Sequence, residues 1–132
     1  MYKRQVLDLS GLDLATALNK LGDAYLRLLL SPASIDLQRV VIAEAGRFPE
    51  LGQVFFENGR RQTVERVARV VRMLAAFHDR PALASPTAVS HFRGLVEAGL
   101  YERRLLGGEA DLSTDIEASV QSAVACFLNG CG

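Results

Sequence analysis

The sequence predicts an all-α fold, a bundle of about five helices, and three observations carry that expectation. Apolar residues recur at three- and four-residue steps through most of the chain, the period of a helix with one face in a core. No run alternates apolar with polar residues in the manner of a half-buried strand. Helix starts and stops are also written plainly, as Ser31-Pro32, Phe48-Pro49, Ser85-Pro86 and Gly107-Gly108.

The first helix is expected from about Leu12 to Leu30, with Leu14, Ala17, Leu18, Leu21, Ala24, Tyr25, Leu28 and Leu29 on its apolar face. Ser31 then serves as a cap acceptor, and Pro32 loses nothing at the first position of a second helix running to about Arg47. That second helix is apolar nearly all round (Ile35, Leu37, Val40, Val41, Ile42, Ala43, Ala45), so burial on most sides is expected. Pro49 ends it, because the residue before a proline avoids helical geometry.

A long third helix follows from about Glu50 to Phe77, with Val64, Val67, Val71, Leu74 and Ala75 as its core stripe; Asn58-Gly59 loosens or divides it. The segment from Asp79 to Ala84 reads as a loop. The fourth helix opens at Ser85-Pro86, runs to about Leu106 and ends at Gly107-Gly108. The fifth starts at Thr114-Asp115-Ile116-Glu117, a capping-box pattern, and buries Ile116, Val120, Ala123, Val124 and Phe127.

The 132 residues suit one domain with a real core. No apolar run is long enough for a membrane span, and the start, Met1-Tyr2-Lys3-Arg4-Gln5, has no apolar segment of a signal peptide behind it. Fifteen basic and fifteen acidic residues cancel, whereas a nucleic-acid-binding domain usually carries a basic surplus. Cys126 and Cys131 stand too close to constrain a useful loop, so reduced thiols in a cytoplasmic protein are expected.

Enzymatic chemistry finds no foothold. His78 and His91 lie on different helices, no metal-ligand spacing occurs, and there is neither a phosphate-binding glycine loop nor a nucleophile elbow. No enzyme activity, cofactor or metal is expected. The arginines at 60, 61, 66, 69 and 72 read as a solvated face more readily than as a phosphate stripe. Glu57 precedes Arg61, and Glu65 precedes Arg69, by the four residues that suit helix ion pairs.

Two constellations remain. Tyr25, Phe55, Met73, Phe77 and Phe92 are soft or aromatic residues beyond what the simple stripes need. Glu44 is a lone carboxylate in an apolar segment, either a polar anchor for a ligand or a partner of Arg39 or Arg47. These six are the candidate ligand-binding residues, with ordinary core packing as the alternative for the aromatics. On the fourth helix His91, Gly94, Ala98, Tyr101 and Leu105 form a second line at coiled-coil spacing, and Ser119, Ser122 and Cys126 give the fifth helix a small-residue flank. Such a helix is either central in its own domain or seated at a dimer interface.

Leu26-Arg27-Leu28-Leu29-Leu30-Ser31-Pro32, then Ile42-Ala43-Glu44-Ala45-Gly46-Arg47-Phe48-Pro49-Glu50-Leu51, and the tail from Ala123 to Gly132 resemble the C-terminal domain of TetR-family repressors of the AefR-like group. The resemblance spans about residues 12 to 132, and the stretch from Ile42 to Leu51 is its most specific part. It implies a TetR C-terminal-domain-like all-α bundle from a bacterial transcription regulator. Such a domain forms a homodimer through its last two helices and holds a small apolar effector among the earlier ones. It also implies a helix-turn-helix unit ahead of this domain. Only about eleven residues precede the first expected helix, too few for three helices, so no direct DNA binding is expected of this chain. Either it is a piece of a longer regulator or a stand-alone regulatory domain. The alternative function is a ligand-free dimerisation module that pairs with other regulator subunits.

Overall fold

The structure is a computed structural model; it describes residue 9, residues 11–107 and residues 113–130, with the side chains of 113 and 114 left aside. Among the described residues every regular element is helical. In chain order they are α1 (Leu14–Leu29), α2 (Pro32–Ala45), α3 (Pro49–Phe55), a π-helical turn (Phe56–Arg60), α4 (Arg61–Phe77), a 3₁₀ turn (Pro81–Ala84), α5 (Pro86–Glu97), α6 (Leu100–Leu105) and α7 (Ser113–Asn129).

The helix starts follow from local chemistry. Asp13 caps α1, accepting a 2.7 Å bond from the Thr16 amide, and those bonds hold its carboxyl below the usual range. Ser31 caps α2 by accepting from the Ser34 amide at 3.3 Å, and Ser85 caps α5 by accepting from the Ala88 amide at 3.0 Å. Both serines precede a proline at the first helical turn, as the sequence indicates. At the end of α4, Asp79 adopts φ 55°, and the Arg80 amide donates to the Ala75 carbonyl at 2.8 Å, a left-handed helix stop. Helix α7 begins at Ser113, one residue ahead of the expected capping box; its cap and Gly108 lie outside the described residues.

Helix α1 is the hub. It packs on α7, α4, α5 and α2, and it buries Ala17, Leu18, Leu21, Gly22, Tyr25, Leu26 and Leu29. Phe92 and Val96 of α5 and Val120 and Val124 of α7 complete the centre, each 1% exposed or less. Gly22 lets these helices close up: a Cβ there would stand 2.9 Å from Val120 Cγ1 and 3.3 Å from Val96 Cγ2.

One open expectation is made definite and two change. The long third helix is divided at Asn58-Gly59, where the Arg61 amide bonds to the Phe56 carbonyl five residues back. An interior glycine weakens the α-helical ladder, and a π turn accommodates the extra residue. The expected fourth helix is two helices, α5 and α6, separated at Ala98-Gly99. Gly99 has φ 82°, a conformation closed to a continuing α-helix. Finally, α2 is buried on one side only. Leu37, Val40 and Ile42 are 53%, 56% and 61% exposed, because no element of the described chain covers its outer face.

Candidate functional site

The opening between α1, α2, the π turn and the start of α4 is a cavity of about 210 Å³. Leu28, Leu29, Leu37 and Phe55 make its walls apolar, and Tyr25, Gln38, Arg60 and Thr63 supply polar atoms. An apolar hollow with a few convergent polar groups is the usual form of a small-molecule site.

Those polar groups are held from behind. The Tyr25 hydroxyl donates to Glu97 Oε2 at the end of α5. Arg60 donates to the same oxygen at 3.2 Å, and Arg93 approaches it at 3.7 Å. Arg60 also lies over the Tyr25 ring, 5.9 Å from its centroid. Burial, then the bond to Glu97, pushes the Tyr25 pKa up to about 12, so the hydroxyl remains a neutral donor. Burial pulls the Arg60 pKa down, but Tyr25 and Glu97 outweigh it and the net shift is upward; Arg60 stays charged.

A second polar cluster closes the α2 side. Gln38 is 5% exposed and mid-helix in an apolar stretch. Its Nε2 donates to Ser34 Oγ at 2.8 Å and to the Leu29 carbonyl at 3.3 Å, while its Oε1 accepts from the Tyr101 hydroxyl. Burial raises the Tyr101 pKa as well. Both N–H positions of the Gln38 amide and its oxygen thereby have partners, which is what makes a buried amide tolerable. Arg39 adds a brace from α2 to α6, donating to the Leu105 carbonyl at 3.0 Å and the Arg104 carbonyl at 2.8 Å.

The six candidate ligand residues do not converge. Tyr25 and Phe55 line the cavity. Phe92 is in the core, 0% exposed, with its ring centroid 5.2 Å from that of Phe127. Met73 and Phe77 are 57% and 74% exposed and flank a separate hollow of about 120 Å³ beside Leu9 and Leu74. Glu44 sits at the surface and pairs with Arg47 at 3.5 Å, the plain alternative for a mid-helix carboxylate. Gln38, Arg60, Arg93 and Glu97 escaped the sequence reading. Arg60 counted there as part of a wet arginine face, yet its side chain is 21% exposed against 48% for Arg61. The π turn is the reason: it turns Arg60 inward and leaves Arg61 outside, paired with Glu57 at 3.0 Å. Asn58-Gly59 was the available signal.

The candidate interface residues also separate. His91, Gly94 and Cys126 line an open apolar groove of about 540 Å³ between α5 and α7, together with Leu95 and Phe127. Ala98 and Ser122 are exposed, and Ser119 is half-buried. Tyr101 and Leu105 lie beyond the break at Gly99, and both turn toward their own chain, Tyr101 to Gln38 and Leu105 to the core. The five-residue seam is therefore not the edge of one helix. Cys126 is disulfide-bonded, so the expectation of reduced thiols fails there. Cys131 lies outside the described residues.

A further hollow, about 690 Å³, is a trough between α1 and α7 walled largely by Asn19, Lys20, Asp23, Arg27, Glu117 and Gln121. Ala24 and Val120 supply apolar surface there, but the polar and charged side chains around them make it a far more polar hollow than the one beside Tyr25. No helix among the described residues is long and apolar enough to cross a membrane.

No curated protein and no solved structure matches the chain. The family model for the C-terminal domain of AefR-like transcriptional repressors matches residues 16–130, which takes in every helix described above except the first two residues of α1. With its all-helical architecture, the chain belongs to that family of regulatory domains.

Proposed function

We propose that this domain binds a small, largely apolar effector in the cavity beside Tyr25 and Arg60, and pairs with a second copy across the α5–α7 groove. The observation that carries the sensing half is the cavity itself: apolar walls, polar groups held in place by Glu97, and a flank made of the least buried elements of the fold. An effector that fits one arrangement of that flank better than another shifts the population between them. Arg60 and Tyr25 both reach the end of α5, so a shift at the cavity is felt on the helix that borders the groove. In a regulator that shift alters the spacing of attached DNA-binding units. No DNA contact is assigned to these residues, whose charges cancel, and the proposed cytoplasmic setting rests on the regulatory role alone.

The neutral apolar dye N-phenyl-1-naphthylamine tests the cavity. Its fluorescence should rise on binding the native domain and return to the solvent value with Thr63→Trp, which fills the space. Equal enhancement by both proteins, or none by the native domain, rejects the sensing half and leaves a dimerisation module. For the groove, Gly94→Arg is the sharper variant, because a side chain at Gly94 meets nothing within 4 Å in its own subunit. Sedimentation should show a helical monomer in place of a dimer, since burying an unpaired charge twice across a two-fold interface is costly. An unchanged dimer excludes this face.

A further inference from the structure

We infer that the effector carries an anionic head, of the carboxylate class, on an apolar body, and that this head takes the place of Glu97 on Arg60. The inference rests on the sensing role proposed above and adds the ligand's chemistry. The cavity wall contains one cation, Arg60, and no carboxylate. Glu97 is not part of the wall; it lies behind Arg60 and occupies it from the α5 side at 3.2 Å. Behind the wall the charges do not balance, with Arg60 and Arg93 sharing the single carboxylate of Glu97. Arg93 Nε is buried with no hydrogen-bond partner among the described residues. An arrangement with one surplus positive charge and an unused guanidinium donor accepts an anion more readily than a neutral or cationic head. Tyr25 and Gln38 also line the cavity, but their donors are already engaged, Tyr25 with Glu97 and Gln38 with Ser34 and Leu29, which leaves Arg60 as the group an anion would address.

The π turn gives the exchange a mechanical consequence. Arg60 is its last residue, and no residue of the turn is fully buried. While Arg60 holds Glu97, the turn is tied to the end of α5, one residue from the break at Ala98-Gly99. A ligand carboxylate that draws Arg60 into the cavity releases that tie, and Arg93 is left to neutralise Glu97. A cavity of about 210 Å³ is below the roughly 300–1,000 Å³ of sites for drug-sized ligands, so a short acid fits better than a long one.

Calorimetric titration of the native domain with octanoate, octanol and octylamine tests the inference. Octanoate should bind about tenfold tighter than octanol, with octylamine weakest, as expected for a charge-assisted bond to a partly buried guanidinium. Arg60→Gln should bring octanoate down to the level of octanol. Glu97→Gln should move octanoate the other way, to tighter binding, because the resident competitor is gone; a merely structural role for Glu97 predicts weaker binding. Should Arg60→Gln fail to fold, the ranking by the native domain and the sign for Glu97→Gln still decide. Octanol binding as tightly as octanoate, or octanoate weakened by Glu97→Gln, overturns the anionic head and leaves the sensing role standing. Failure of all three probes and of the neutral dye to bind overturns both.

Discussion

The two sides of α1 are built differently. Toward α5 and α7 the helix meets a dry core: Phe92, Val96, Val120 and Val124 are almost wholly buried, and Gly22 lets the backbones approach until there is no room for a methyl group. Toward α2, α3 and the π turn it meets a partly filled space. Helix α2 buries only Ile35, Gln38 and Val41, and neither α3 nor the π turn buries any residue fully. The apolar side chains Val54 and Phe56 stand 53% and 45% exposed there. Close packing resists change because each displaced atom loses contacts with many neighbours, whereas a half-filled space has more than one arrangement of similar energy. One side of α1 can thus hold the fold while the other responds to a ligand.

Truncation of an aromatic ring should expose this contrast most strongly. Phe92→Ala removes a fully buried ring from the dry side and is expected to cost about 3–5 kcal/mol of unfolding free energy. Phe56→Ala removes an exposed ring from the other side and should cost about 0.5 kcal/mol or less. Urea titrations of the two variants measure the difference; comparable losses would mean that both sides are packed alike.

Glycine substitution should give a smaller effect of opposite sign on the two sides. Gly22→Leu forces a side chain against Val120 and Val96, and overpacking of this kind costs about 1–3 kcal/mol. Gly59→Ala meets nothing within 4 Å, and the reduced freedom of the unfolded chain should stabilise the domain by roughly 0.4–1 kcal/mol. A loss of stability from Gly59→Ala would show that the π turn needs glycine for its shape.

A pH-dependent effect lies where the two sides meet, at Tyr25. Its folded-state pKa of about 12 is above the ordinary tyrosine value of 10.0, so in that interval the unfolded chain gives up a proton that the folded one keeps. Stability contributed by the neutral hydroxyl is fully present below pH 10.0 and is lost as the pH rises toward about 12. Thermal melts across that window should show a steeper decline for the native domain than for Tyr25→Phe. Parallel declines would remove Tyr25 from the link between cavity and α5.

Much of the architecture was legible in the residues. The two serine–proline starts, the break at Phe48-Pro49 and the weak point at Asn58-Gly59 are local chemistry, settled by neighbours a few positions away; each appears where it was expected, with α2 ending slightly early, at Ala45. The break at Gly99 was not legible. A glycine inside a periodic stretch looks the same whether it eases helix contact or ends the helix, and its positive φ belongs to the folded path of the chain.

Exposure of α2 escaped for a related reason: side-chain chemistry says that a face would gain from being covered, not that another helix is there to cover it. The candidate site lay furthest from view. Tyr25 and Glu97 are 72 positions apart, Arg60 and Glu97 37, and Gln38 and Tyr101 63. Helical periodicity orders residues three and four apart on one face and carries no information about which faces meet. The sequence therefore specified the helices, their caps and the regulatory family. The meeting of one carboxylate with two guanidiniums and a phenol behind an apolar cavity came from the packing of α1 against α5 and the inward turn of Arg60, because contacts between distant segments are set by the whole bundle at once.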